Sequence, residues 1–225
     1  MIRCVVFDFD GTLVDSNEIK RRMFFEIARS WNPSGEVVAA VLANWPAANR
    51  YEKTYKIAEE LIRRKMLPAG SPLESWAARL ASEYTTRCEN AIARCAEMPG
   101  ATRTLEALAG MGLILFVNSA TPVDPLRRLL ELRGWSRFFR NVYGAEASKS
   151  DNLRSIALET GVELEEIVHV GDQHEDRCGA EQSGCHFVAM AGDGAGPADA
   201  EHPLCVRDLR ELPDLLGRIR HQEAS

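Results

Sequence analysis

The sequence predicts an α/β protein, a sheet whose strands alternate with helices, interrupted near its start by an all-helical insertion. Three observations carry this. Short apolar runs rich in β-branched residues recur at 5–7, 113–117, 167–170 and 187–190, bounded by turn residues. Between them lie segments whose apolar residues repeat at helical spacing. From about residue 17 to 95 no strand pattern occurs, so a block of helices sits inside the alternation.

The first run, Val5-Val6-Phe7, leads into Asp8-Phe9-Asp10-Gly11-Thr12-Leu13. A buried strand there presents two carboxylates where the backbone turns, and ligands of open α/β sheets bind at the carboxyl ends of strands. Two close carboxylates repel unless a cation or a shared proton lies between them. Asp15-Ser16-Asn17-Glu18 resembles a capping box with an acid three residues after the cap, and Ile19, Met23, Phe24, Ile27 and Ala28 give the next helix one apolar stripe. Asn32-Pro33-Ser34-Gly35 breaks it. Further helices are expected at 36–43, at 48–66 (stripe Tyr51, Tyr55, Ala58, Leu61, Ile62) and at 72–94, separated by Pro46 and the 67–72 turn.

Met98-Pro99-Gly100 reads as the return from the helical block, followed by a helix through Leu105 and Leu108 and a strand at 113–117 that ends in Asn118-Ser119-Ala120-Thr121. A hydroxyl at a strand end, ahead of a helix begun by proline, suits a phosphate oxygen, although a strand-end serine is usually a helix cap. A helix at 123–133, a short edge piece at 142–144 and a helix after Ser148-Lys149-Ser150-Asp151 follow. The strand ending at Gly171-Asp172 opens into a helix with a second acid, Asp176. The tail reads as strand, the Gly192–Pro197 loop, strand, and a helix at 207–219. That loop lacks a phosphate-binding pattern and serves as a connection.

Asp8-Phe9-Asp10-Gly11-Thr12, the strand-end Ser119 (with Thr121 as the alternative), Lys149 and Gly171-Asp172-x-x-x-Asp176 together resemble the four motifs of the haloacid dehalogenase-like phosphotransferases, in the same order. Lys149 departs from the pattern in being followed by Ser150 instead of proline, yet it is the only lysine after residue 65. The resemblance implies a doubly wound, Rossmann-like parallel sheet core at 1–16 and 96–225, with an inserted all-α cap at 17–95 that closes over the site and selects substrate. It implies a Mg2+-dependent phosphatase acting through an aspartyl-phosphate. Asp8 would be the nucleophile and Asp10 the acid and base. Asp8, Asp172 and the backbone carbonyl of Asp10 would hold the metal, with Asp176 acting through water or supporting them; Glu175 and His174 fit less well. Ser119, Ala120 and Lys149 would hold the phosphoryl oxygens. Lys20 and Arg21, near the start of the insertion, are candidates for an anionic substrate. Trp31, Trp45, Tyr51 and Trp76 could line a cap pocket, although aromatics at helical spacing usually build core.

Asp10 discriminates among family chemistries, because dehalogenases and phosphonoacetaldehyde hydrolases lack an acid there. The expected substrate is therefore a small phosphorylated metabolite, a sugar phosphate or phosphoglycolate-like acid. A phosphoglucomutase-type transferase keeps both acids and is the alternative; a non-catalytic scaffold would more plausibly have lost one of Asp8, Asp10 or Asp172.

The remaining composition narrows the class. A formal net charge of −6 argues against a nucleic-acid partner. No apolar run approaches the roughly 18 residues of a membrane span, and no leader is recognisable at Met1-Ile2-Arg3-Cys4, so the expected setting is the cytoplasm. The six cysteines include no C-x-x-C pair and read as reduced thiols. A monomer or homodimer is expected.

Overall fold

The computed structural model describes residues 1–46, 48–68, 70, 72–191 and 204–222. In chain order its elements are β1 (Cys4–Phe7), α1 (Asn17–Ala28), α2 (Glu36–Asn44), α3 (Arg50–Arg63), α4 (Leu73–Ile92), α5 (Ala101–Gly110), β2 (Ile114–Asn118), α6 (Val123–Leu132), β3 (Asn141–Tyr143), α7 (Lys149–Thr160), β4 (Ile167–Gly171), α8 (His174–Ser183), β5 (His186–Met190), β6 (Cys205–Val206) and α9 (Leu212–Gln222). The chain divides into two compact units, Met1–Asn17 with Cys95–Ser225, and Glu18–Arg94.

In the first unit the described strands pair in parallel as one six-stranded sheet, in the order β3-β2-β1-β4-β5-β6. This is the doubly wound Rossmann-like order: the chain runs outward from β1 to β3, then crosses back to β4 on the other side of β1. Successive residues of a strand point to opposite faces. Cys4, Val6, Phe116, Ile167, Phe187 and Ala189 pack with Leu153 and Ile156 of α7 and Ala180 of α8. Their neighbours Val5, Phe7, Leu115, Val117, Val168, Val170 and Val188 are equally buried. Burial on both faces is why these strands read as continuous apolar runs instead of alternating ones. Each large side chain so enclosed contributes about 1.5–3 kcal/mol.

The last helix starts later than its apolar spacing suggests. Leu209–Glu211 forms a 3-10 turn, with Asp208 accepting from Arg210 N at 2.9 Å, and α9 begins only at Leu212. Pro213 explains the shift, since proline is tolerated in the first turn of a helix and would break the interior of one begun at 207. The Gly192–Pro197 loop lies outside the described residues.

The described elements of the second unit are all helical. Asn49 caps α3 by accepting from Tyr51 N at 2.9 Å and Glu52 N at 3.0 Å, while Glu52 reaches back to Asn49 N. The helix therefore spans 50–63, not 48–66, and its buried face is Thr54, Ile57, Ala58 and Leu61. Tyr51 and Tyr55, expected on the apolar stripe, are exposed, and so is Trp45. Trp31 and Trp76 meet edge to face at 4.9 Å with Arg79 over both rings, and Phe24 stacks on Tyr84 at 4.2 Å.

Candidate active site

Register brings the site together. Phe7 lies beside Val117 of β2 and Val170 of β4, and Asp8 N donates to Val170 O at 2.8 Å. Asp8 therefore leaves the sheet level with Asn118 and Gly171, and Asp172 follows one residue beyond. These are the strand ends on either side of the point where the strand order reverses, where an open α/β sheet leaves its crevice. Lys149 arrives from the next connection as the first residue of α7. Ser148 caps that helix by accepting from Asp151 N at 3.1 Å, so the ammonium is placed without the proline that Ser150 replaces. Buried Asn118, at the end of β2, donates to Lys149 O at 3.0 Å, and Asn152 braces Asn118 at 2.9 Å. Gly179 of α8 allows the close approach, since a Cβ there would lie 2.8 Å from Lys149 Cβ.

The charged centre is closed to solvent. Lys149 Nζ donates to Asp8 Oδ1 at 2.7 Å and also to Asp176 Oδ1. Asp176 further takes His169 Nε2 at 3.0 Å and Gln173 N at 3.0 Å, and the other ring nitrogen of His169 lies 3.1 Å from Val6 O. Burial pushes the Asp8 carboxyl well above the ordinary carboxylate range; Lys149 pulls it down, and Asp176, Asp172 and Asp10 push it up further. Asp172 is raised by burial and by Asp176, against the donors Gln173 and Asn17. Burial would raise Asp176 too, but Lys149 and His169 prevail and lower it. Burial would lower Lys149, and the two carboxylates outweigh it, so the ammonium stays charged.

Asp10 stands apart from this cluster. Ser16 Oγ donates to its Oδ1 at 2.7 Å and Thr121 Oγ1 to its Oδ2 at 2.9 Å. Ser16 thus spends its hydroxyl on Asp10, and α1 starts at Asn17, one residue later than a capping box on Asp15 and Glu18 would set it. The side chain of Asn17 turns to Asp172 Oδ2 at 2.7 Å. Ser119 lies buried at the end of β2, its Oγ accepting from Thr121 N at 3.1 Å, and Ala120 beside it is exposed. Of the Ser119/Thr121 pair, Thr121 reaches the acids through Asp10, and the Ser119 hydroxyl is bonded to Thr121 N. Glu175 and His174 are exposed, His174 Nε2 lying 3.2 Å from Cys178 Sγ. Lys20 is half-buried and Arg21 exposed on α1. None of the six cysteines forms a disulfide.

Asp8, Asp172 and Asp176 each offer an oxygen within 4.8 Å of the others. Among the described residues Lys149 is the one lysine or arginine paired with this group, holding Asp8 and Asp176, so a single ammonium stands against three buried acids. Hard carboxylate oxygens with such a surplus of negative charge fit a divalent cation, and burial and mutual repulsion raise the carboxyls of Asp8 and Asp172. Asp176 belongs to this cluster directly. The side chain of Asp10 does not, its oxygens being held by Ser16 and Thr121.

Residues 2–184 match the family model for haloacid dehalogenase-like hydrolases. The phosphoglycolate phosphatase of Yersinia pestis is 28% identical over 97% of this chain and 93% of its own. A 5'-nucleotidase of Pseudomonas aeruginosa is 27% identical over 85% of this chain and 82% of its own. A phosphoserine phosphatase of Methanocaldococcus jannaschii is 25% identical over 93% and 95%. The fold is shared with CbbY of Rhodobacter sphaeroides, solved with phosphate, at a TM-score of 0.72 and 23% identity over 94% of this chain and 96% of that one. The same protein solved with xylulose-1,5-bisphosphate matches at 0.71 and 21%, over 94% and 96%. No described helix is long and apolar enough to cross a membrane.

Proposed function

The chain belongs to the haloacid dehalogenase-like hydrolases, and on that premise we propose that it hydrolyses small phosphomonoesters, with Mg2+, through a phosphorylated Asp8. The observation that carries this reading is the separation of two carboxylates two residues apart: Asp8 on Lys149 beside Asp172 and Asp176, Asp10 on the hydroxyls of Ser16 and Thr121.

Asp8, on the ammonium of Lys149, is placed to attack phosphorus. Its oxygen bonds to phosphorus as the ester P–O bond breaks, and Asp10 gives its proton to the departing alkoxide. In the second step a water oxygen bonds to phosphorus, the Asp8–P bond breaks, and Asp10 takes the water's proton. Ser16 and Thr121 suit both states of Asp10, because a hydroxyl can donate to a carboxylate or accept from a carboxylic acid. Lys149, Ser119 and the backbone at Ala120 hold the phosphoryl oxygens, placing donors where negative charge gathers. A bound Mg2+ supplies the positive charge that lets a carboxylate approach a phosphate dianion.

The chemistry requires only a phosphate ester, and the relatives named for phosphoglycolate, a nucleotide and phosphoserine support small metabolites as the class. We assign the choice among them to the helical insertion at 17–95, with Lys20 and Arg21 as cationic candidates. The test is phosphate release from a panel of phosphorylated metabolites, with Mg2+ and with chelator, for wild type and Asp8→Asn. Release that needs the metal and vanishes in the variant supports the reading. Undiminished release by Asp8→Asn refutes the nucleophile.

A further inference from the structure

The side chain that the motif does not explain is Asn17. It lies one turn of chain beyond Asp10, at the first position of α1, and its amide donates to Asp172 Oδ2 at 2.7 Å across a sequence separation of 155. Gln173 Nε2 donates to the same oxygen. A carboxylate oxygen has two lone pairs, so two amides occupy Oδ2 fully. Among the described residues, Oδ1 keeps only Thr12 Oγ1, at 3.4 Å. The backbone is shaped to admit this contact. Gly11 has φ of 81°, and a Cβ on it would lie 2.3 Å from Asn17 Nδ2 and 2.4 Å from Asp172 Oδ2. The glycine of the turn is therefore the floor on which the Asn17–Asp172 bond rests.

We propose that Asn17 is a positioning residue for the cation: with Gln173 it pins Asp172 in the orientation that offers Oδ1, and so sets the affinity and the selectivity of the site. This rests on the metal-dependent reading above. Partners that orient a ligand of this kind are worth about 10–100-fold in metal affinity. Selectivity follows from size. Mg2+ demands near-ideal octahedral geometry and is sensitive to a ligand that swings, whereas Ca2+ accepts six to eight oxygens in flexible arrangements. Loss of Asn17 should therefore weaken Mg2+ more than Ca2+.

The experiment is calorimetric titration of metal-free wild type, Asn17→Ala and Asn17→Leu with Mg2+ and, separately, with Ca2+. Thermal melts in chelator establish that the variants are folded, and Asn17→Leu keeps the bulk while removing the donor. The expected result is a Mg2+ dissociation constant raised about tenfold in both variants and a smaller change for Ca2+. Folded variants that bind Mg2+ as tightly as wild type overturn the proposal. Equal weakening toward both cations overturns its selectivity. Wild type that binds neither cation overturns the metal-dependent function itself, a failure visible before any variant is made.

Discussion

Replacing Lys149 by Met tests the centre of the site most directly. The thioether keeps the length of the stem, which packs closely against Gly179, and removes the ammonium with its charge and its hydrogen bonds. Lys149 Nζ holds Asp8 and Asp176 at once, and all three groups are buried. Stripping one partner from a buried ion pair leaves an uncompensated charge and costs about 3–5 kcal/mol. With a urea dependence of roughly 2.5 kcal/mol per molar, the unfolding midpoint in chelator should fall by about 1–2 M. Saturating Mg2+ should narrow that gap, since a dication at the proposed site beside Asp8 and Asp172 would replace part of the missing positive charge.

Catalysis should respond separately. An ammonium aimed at phosphoryl oxygens is worth about 100- to 1000-fold in kcat, by comparison with single donors at other charge-stabilising sites, and Mg2+ should not restore it. A variant that keeps the wild-type midpoint in chelator would refute the claim that Lys149 neutralises the buried acids. A midpoint that falls as expected with kcat unchanged would make the lysine structural only, and would remove it from the transition state.

Other perturbations probe other parts. Asp8→Asn should abolish phosphate release while leaving the melting temperature at or above that of wild type, because the amide oxygen still accepts from Lys149 and one repelling charge is gone. Gly11→Ala meets both a positive φ and an overlap with Asn17 and Asp172, so scanning calorimetry should show a loss of at least about 2 kcal/mol, or roughly 4–8 °C for a chain of this size. Thr121→Val keeps shape and removes the hydroxyl on Asp10 Oδ2; steady-state kinetics should show kcat down about tenfold with KM held, and Thr121→Ser should recover most of it. Stability in chelator should fall as pH rises from about 4 toward neutrality. Asp8 and Asp172 have folded carboxyls raised above their unfolded values, chiefly by burial, so the folded state binds the extra protons and loses that stabilisation as they leave. Asp176, lowered by Lys149 and His169, contributes the opposite slope below about pH 4. Melts across this range should show the Mg2+-induced rise in melting temperature growing with pH, and a rise independent of pH would refute the assignment of the raised acids to the cation site.

What could be read from the residues alone follows a physical division. Asp8, Asp172, Asp176 and Lys149 were legible through their order along the chain, which resembles the family's four motifs, each beside the end of an apolar run or the start of a helix. The strands were legible because burial on both faces leaves apolar runs too short for helices. What failed to show were the polar partners that hold the acids. Thr121 reaches Asp10 across 111 residues and Asn17 reaches Asp172 across 155, and both meetings depend on β1 lying between β2 and β4. Chain order does not announce that arrangement. Ser16 and Asn17 were misleading in a sharper way, since a polar pair before an apolar helical stripe has a local explanation as a cap, and the local explanation satisfies the pattern. Tyr51 and Tyr55 misled similarly, because their spacing fits a helix face while the buried face of α3 is Thr54, Ile57, Ala58 and Leu61 and leaves both tyrosines exposed. The distinction is one of competition. A side chain with a good local use is assigned to it by pattern, and only the assembled sheet reveals that Ser16, Asn17 and Thr121 give their donors to carboxylates instead. In a site with three buried acids and one ammonium, those donors are worth more on the acids than on a helix end. A buried carboxylate without partners costs several kcal/mol, and an exposed cap contributes about one.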